Sequence, residues 1–185
     1  MSSPPPHPTS PHADLIDRIR ATALLEGDFT LRSGKKSRYY LDKYLFETDP
    51  EILSEVAGLL AERVGKYDNV TRLAGAELGG IPLVVATSLK LGLPSVLIRN
   101  QKKGYGTAKQ FEGRLEAGDR IVLLEDVATT GGQALEAAKL LRDACGCEVL
   151  AVIAVLDREE GARENMTEAG FGFEALFQRG DMRMD

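Results

Sequence analysis

The sequence predicts an α/β fold, a central parallel sheet flanked by helices. Short apolar runs alternate with amphipathic stretches from Asp14 to Phe177, and strands that alternate with helices give a parallel sheet covered on both faces. The longest apolar run, Val149–Leu156, has eight residues. That is a core strand, far short of the roughly 20 residues of a membrane span. The stretch Ile121–Ala134, IVLLEDVATTGGQA, joins one such strand to a helix through a glycine-ended turn. Ligands of these sheets sit beyond the C-terminal ends of the strands.

The elements follow in order. Residues 1–12, MSSPPPHPTSPH, are Pro/Ser/His-rich without an apolar core and are expected to form a disordered tail, neither signal peptide nor core. Residues 13–185 suit one domain. Asp14–Glu26 spaces Leu15, Ile16, Ile19, Ala23 and Leu24 as an amphipathic helix. Phe29–Leu31 and Tyr39–Leu41 read as short strands around a turn at Arg32–Lys36. Asp49-Pro50-Glu51 starts a helix, with aspartate as cap and proline in the first turn. Ile52, Leu53, Val56, Leu59, Leu60 and Val64 continue it. Strand 70–75, helix 81–91 stopped by Gly92, and strand 94–98 follow. Residues 100–113 show no periodicity and form a long polar loop. Strand 121–125, helix 132–144, strand 149–156, a helix near 159–169 and strand 173–177 complete the domain.

Charge narrows the function. The net charge of −5 argues against nucleic acid and anionic membranes as partners. Two basic islands stand out on this acidic chain. Residues 32–43 carry Arg32, Lys35, Lys36, Arg38 and Lys43, and residues 99–114 carry Arg99, Lys102, Lys103, Lys109 and Arg114. Each island is opposed by one carboxylate, and together they fit a small polyanionic ligand. His7 and His12 are the only histidines, so a histidine triad, base or metal ligand is not expected in the body. Cys145 and Cys147 make neither a zinc motif nor a disulfide framework and read as reduced bystanders in a cytoplasmic protein.

Within Ile121–Ala134, a buried strand delivers Glu125 and Asp126 to its end. Ala128-Thr129-Thr130-Gly131-Gly132 then opens a helix. Unpaired N–H groups and the dipole at a helix N-terminus favour phosphate. Carboxylates repel phosphate but accept hydrogen bonds from sugar hydroxyls. The stretch therefore reads as a ribose-phosphate cradle. Three more segments fall at strand ends. Ala74–Gly80 offers glycine amides to an anion. Arg99–Gly113 has the cations and glycines of a lid over a polyphosphate. Arg158, in Leu156-Asp-Arg-Glu159, can grip a carboxylate in bidentate fashion.

Ile121–Ala134 resembles the 5-phosphoribosyl-1-diphosphate (PRPP) signature of type I phosphoribosyltransferases. The wider set resembles orotate phosphoribosyltransferases from about Glu26 to Phe177. Phe29–Ser37 with Tyr39-Tyr40 resembles that family's orotate-side segment, Lys103–Thr107 its catalytic loop, and Leu156–Glu159 its orotate-binding strand end. The resemblance implies a type I phosphoribosyltransferase fold with a small N-terminal hood. It implies transfer of the phosphoribosyl group from PRPP to orotate with Mg²⁺, yielding orotidine 5′-monophosphate and diphosphate. It implies a homodimer in which loop 99–113 acts in trans. Glu125 and Asp126 would bind the ribose hydroxyls, and Ala128–Gly132, with Val127 and Gln133 beside them, the 5′-phosphate side of PRPP. Arg99, Lys102, Lys103 and Tyr105 would reach the diphosphate. Lys103, Asp126 and Arg99 would be catalytic. Thr129, Arg158, Arg32, Tyr39 and Tyr40 would surround orotate. No protein side chain is assigned to the metal, because PRPP supplies most of its oxygens.

Three positions depart from the family pattern. Asn100 stands where many members have lysine, Tyr105 where some have histidine, and Gly79 where some bacterial members place a lysine. Two alternatives stay open on the sequence. One is a phosphoribosyltransferase for a purine or another pyrimidine, against which Arg158 speaks, since neutral bases lack a carboxylate. The other is a phosphoribosyltransferase-like nucleotide-binding regulator, although no DNA-binding extension is evident.

Overall fold

The computed structural model describes residues 12–30, 34, 36–100 and 110–183. The tail through residue 11, Arg32, Lys102, Lys103 and Tyr105 lie outside the described residues.

Helix α1, Ala13–Ala23, buries Leu15, Ile16, Ile19 and Ala23, as its spacing predicts. It stops three residues earlier than expected. Leu24 takes extended angles and begins β1, Leu24–Thr30, which pairs antiparallel with β2, Lys36–Leu41. Ladder hydrogen bonds to β2 override the local helical spacing, and Gly27 disfavours helix. This hairpin is the N-terminal hood. Asp42 then caps α2, Lys43–Glu47, by accepting from the Tyr44 N–H at 3.2 Å. The sequence reading missed α2, which at five residues is too short to display a period.

Helix α3, Pro50–Val64, begins as predicted. Asp49 Oδ1 accepts from the N–H groups of Glu51 and Ile52, each at 3.0 Å. Strand β3, Arg72–Ala76, leads into α4, Gly80–Leu91, which ends at Gly92 in the left-handed region. Strand β4 is Ser95–Ile98, and Phe111–Glu112 form the short β5. Strand β6, Arg120–Ala128, is followed by α5, Gly132–Lys139, which runs on as a π-helical turn to Ala144. Strand β7, Glu148–Asp157, helix α6, Ala162–Glu168, and strand β8, Phe173–Gln178, finish the domain.

The main sheet runs β5-β4-β3-β6-β7-β8. Five strands are parallel, as predicted. The sixth makes the sheet mixed: β5 pairs antiparallel with β4, inside the stretch expected to be loop throughout. Two residues carry no alternation to read, and the edge of β4 supplies their partners.

Alternation along β6 divides the core. Val122 and Leu124 join the cluster made with α1, α3 and α4, whereas Ile121 and Leu123 join that of α5 and α6. The chain winds outward from β3 to β4 on one side and from β6 to β8 on the other. The loops after β3 and β6 thus flank the point where the winding reverses, where such sheets open a crevice.

Replacing the α3 cap, Asp49→Ala, is expected to cost about 0.5–2 kcal/mol of stability. Denaturant unfolding checks this, and an unchanged midpoint would contradict the capping role.

Candidate active site

A cleft of about 400 Å³ opens at that reversal. Glu125 and Val127 line it from β6, and Thr129 to Gln133 from the turn into α5. Tyr40 and Leu41 enter from β2, Lys43 from α2, and Arg158 from the end of β7. The hood thus closes over the strand ends.

Local chemistry shapes each wall. Gly131 caps α5 at φ 70°, and a Cβ there would press on Ala162 at 3.2 Å and on Met166. Glycine is therefore required, and it lets the turn wrap the helix N-terminus. Asn165 Nδ2 holds the turn by donating to the Thr130 carbonyl at 2.9 Å. At β7, the Arg158 N–H donates to the Ala128 carbonyl and the Glu159 N–H to Asp157 Oδ1, at 2.9 and 2.8 Å. Arg158 itself meets Glu160 at 2.9 Å, while its Nε is buried without a hydrogen-bond partner among the described residues.

The loop after β3 is tied to the same wall. Gln133 Nε2 donates to the Glu77 carbonyl at 2.6 Å and to Asn100 Oδ1 at 2.9 Å. The Asn100 N–H donates to Glu77 Oε1 at 2.7 Å. Asn100, a departure from the family pattern, thus fastens the β3 loop, the end of β4 and the start of α5 together.

The acidic pair does not present itself as the sequence implies. Alternation turns Glu125 and Asp126 to opposite faces. Glu125 lines the cleft. Asp126 is 2% exposed, on the side of α2. Lys43 Nζ stands 2.6 Å from Asp126 Oδ2, and the Val127 N–H donates to Oδ1 at 2.5 Å. Glu47, one turn after Lys43, is 1% exposed and lies against the same carboxylate. Burial and the Asp126 charge push the Glu47 carboxyl up to about 9. Burial and Asp126 also raise Glu125. Burial opposes the Lys43 charge, but Asp126 outweighs it and keeps the ammonium above its ordinary value. One ammonium thus faces three carboxyls.

The remaining predicted residues sort as follows. Tyr40 lines the cleft and packs on Phe29, with ring centroids 5.6 Å apart. Tyr39 does not: strand alternation points it the other way, where its hydroxyl accepts from Arg179 at 3.4 Å. Arg99 stands beside Glu112 of β5 at 3.7 Å rather than among the cleft residues. Arg32, Lys102, Lys103 and Tyr105 lie outside the described residues. Lys43 and Glu47 were missed. Their signal was present in the basic island and in the (i, i+4) spacing after a capping Asp42, but it is no stronger than that of any surface helix.

Gly79 seals the cluster. A Cβ built on it would fall 1.6 Å from Asp126 Oδ2 and 2.9 Å from Glu47 Oε1. Its φ of −67° is ordinary, so the demand is for space alone. Gly79→Ala is expected to destabilise by about 1–3 kcal/mol through overpacking. An unfolding midpoint equal to wild type would show that the loop has room to yield.

Comparison with known proteins identifies the family. Residues 46–178 match the phosphoribosyl transferase domain. The chain is 48% identical over 173 residues to an orotate phosphoribosyltransferase of Natronomonas pharaonis, covering 93% of this chain and 97% of that protein. The Aeropyrum pernix orotate phosphoribosyltransferase structure matches with a TM-score of 0.79 at 32% identity, over 92% of this chain and 95% of that one. The Mycobacterium tuberculosis H37Rv enzyme in complex with PRPP also matches with a TM-score of 0.79, at 27% identity over 93% and 98%. The chain belongs to the phosphoribosyl transferase domain family and, within it, to the orotate phosphoribosyltransferases.

Proposed function

We propose that the cleft holds PRPP across the end of β6, with its ribose hydroxyls on Glu125 and Asp126 and its 5′-phosphate on Ala128–Gly132. Orotate then lies against Thr129, Tyr40 and Arg158, with Arg32 near both ligands. One observation carries this reading: Glu125, the amide turn opening α5, and Arg158 line a single cleft. The PRPP complex of the similar Mycobacterium tuberculosis enzyme supports it. Mg²⁺ enters as part of the substrate, complexed with PRPP. Among the described residues no group of three or more His, Cys, Asp or Glu side chains could hold a metal ion.

In the reaction the bond from C1′ to the diphosphate oxygen breaks, a bond from an orotate nitrogen to C1′ forms, and the proton that nitrogen carried passes to the departing diphosphate. The sugar passes through an oxocarbenium-like state. The protein's tasks are to neutralise the departing diphosphate, orient the base and exclude water. Lys103, Arg99 and Lys102 supply the cations, and Tyr105 can hydrogen-bond a phosphate. Arg158 fixes the orotate carboxylate and so selects this base over neutral ones. Its side chain lines the cleft beside Thr129 and Tyr40.

The working unit in this reading is a homodimer in which loop 99–113 closes on the neighbouring site. Arg99 stands at the root of that loop, beside Glu112. The free thiols of Cys145 and Cys147 suit a cytoplasmic enzyme.

Two outcomes test the reading. Arg158→Ala is expected to weaken orotate use by about 2–5 kcal/mol while PRPP binding survives. Steady-state kinetics with both substrates check this, and equal loss of both would mark a structural arginine. Lys103→Ala and Asp126→Asn are each expected to be inactive, yet mixing them should restore part of the activity. A mixed dimer has one site with both defects and one with neither. No rescue after verified subunit exchange would exclude loop action in trans.

A further inference from the structure

Glu47 has no role in the reaction as described, yet its surroundings are those of a built site. Its carboxyl is 1% exposed, and neither oxygen has a hydrogen-bond partner among the described residues. It is a neighbour of Asp126, whose oxygens are also acceptors. Two carboxylates cannot bond to each other, but a carboxylic acid donates to a carboxylate. Lys43 does not serve both: its ammonium sits 2.6 Å from Asp126 Oδ2 and makes no hydrogen bond to Glu47. Gly79 covers the pair from the loop after β3, with no space for a side chain.

We propose that Glu47 is a positioning residue of the ribose site, a neutral acid that donates a hydrogen bond to Asp126 and, with Lys43, fixes that carboxylate at the end of β6. The inference rests on the reading that the acidic pair receives the ribose hydroxyls. A single short helix supplies both holders from one turn to the next, an ammonium for charge and an acid for direction. The charged groups facing Glu47 are Asp126 and Glu125 from β6 and Lys43 from α2, and the two carboxyls outweigh the ammonium. Burial adds to their effect and moves Glu47 from an ordinary 4.5 to about 9. Because the folded chain binds this proton more tightly than the unfolded one, the associated stability is full below pH 4.5. It is lost as pH rises toward about 9.

The test compares wild type with Glu47→Leu, Glu47→Gln and Asp126→Asn, using Mg²⁺–PRPP as the titrant in calorimetry and as the varied substrate in kinetics. Glu47→Leu removes the donor and is expected to lower kcat/KM for PRPP about ten- to hundredfold. Glu47→Gln keeps an N–H donor and is expected to recover most of that loss. Wild-type kcat/KM for PRPP should fall as Glu47 ionises above about pH 9, and Glu47→Gln should lack that fall. Infrared difference spectra between wild type and Glu47→Gln at neutral pH should show the C=O stretch of one protonated carboxyl. This readout does not depend on activity or on Glu47→Leu folding. Absence of that band, an unchanged alkaline limb in Glu47→Gln, or Glu47→Leu with wild-type PRPP affinity would overturn the proposal. If Asp126→Asn also binds PRPP normally, the ribose assignment fails instead, and the two failures are thereby distinguished.

Discussion

A strand in the middle of a sheet is a poor place for charge, and β6 carries two carboxyls to its end. Each neighbouring strand is buried, so water compensates little of that charge. The surrounding structure is arranged to make the pair tolerable. Lys43 neutralises one carboxylate, two other carboxyls are raised, and Gly79 brings a backbone close enough to exclude solvent. The hood hairpin and α2 exist in the position that delivers Lys43. The winding reversal between β3 and β6 opens the space into which Glu125 faces.

The opposite end of the same strands shows what a purely structural solution looks like. There Arg72 pairs with Asp119 at 2.9 Å, and Thr71 and the Glu116 N–H donate to the same carboxylate. Burial opposes the Asp119 charge, yet these donors hold its carboxyl below the usual value. Every acceptor is matched, and the pair closes the N-terminal edge of the sheet. At the C-terminal edge the balance is left incomplete. Among the described residues Glu47 has no donor to either oxygen, and Arg158 no acceptor at its Nε. Unmatched polar groups cost stability, and Arg158 is one that lines the cleft.

Much of this was legible in the sequence because it follows from local rules. The Asp49 cap, the stop at Gly92, the buried run of β7 and the turn opening α5 are set by residues within a few positions of one another. What escaped depends on distant partners. Leu24 leaves its helix because β2 lies alongside it. Phe111 and Glu112 become a strand because β4 has a free edge. Tyr39 and Tyr40 look equivalent in sequence, yet period-two geometry gives the cleft to one of them. Asn100 reads as a lost contact until the fold places Glu77 and Gln133 beside it. Lys43 and Glu47 gain their meaning only from Asp126, far along the chain.

In the proposed function, the buried acidic end of β6 and the amide turn after it form one cradle for ribose and phosphate. A crystal structure of this chain with PRPP, Mg²⁺ and orotate tests it most directly. The expected result is ribose hydroxyls within hydrogen-bond distance of Glu125 and Asp126, the 5′-phosphate on the N–H groups of the Ala128–Gly132 turn, and the orotate carboxylate on Arg158. A ribose bound away from the end of β6, with the Lys43–Asp126 pair and the α5 turn untouched, would contradict it.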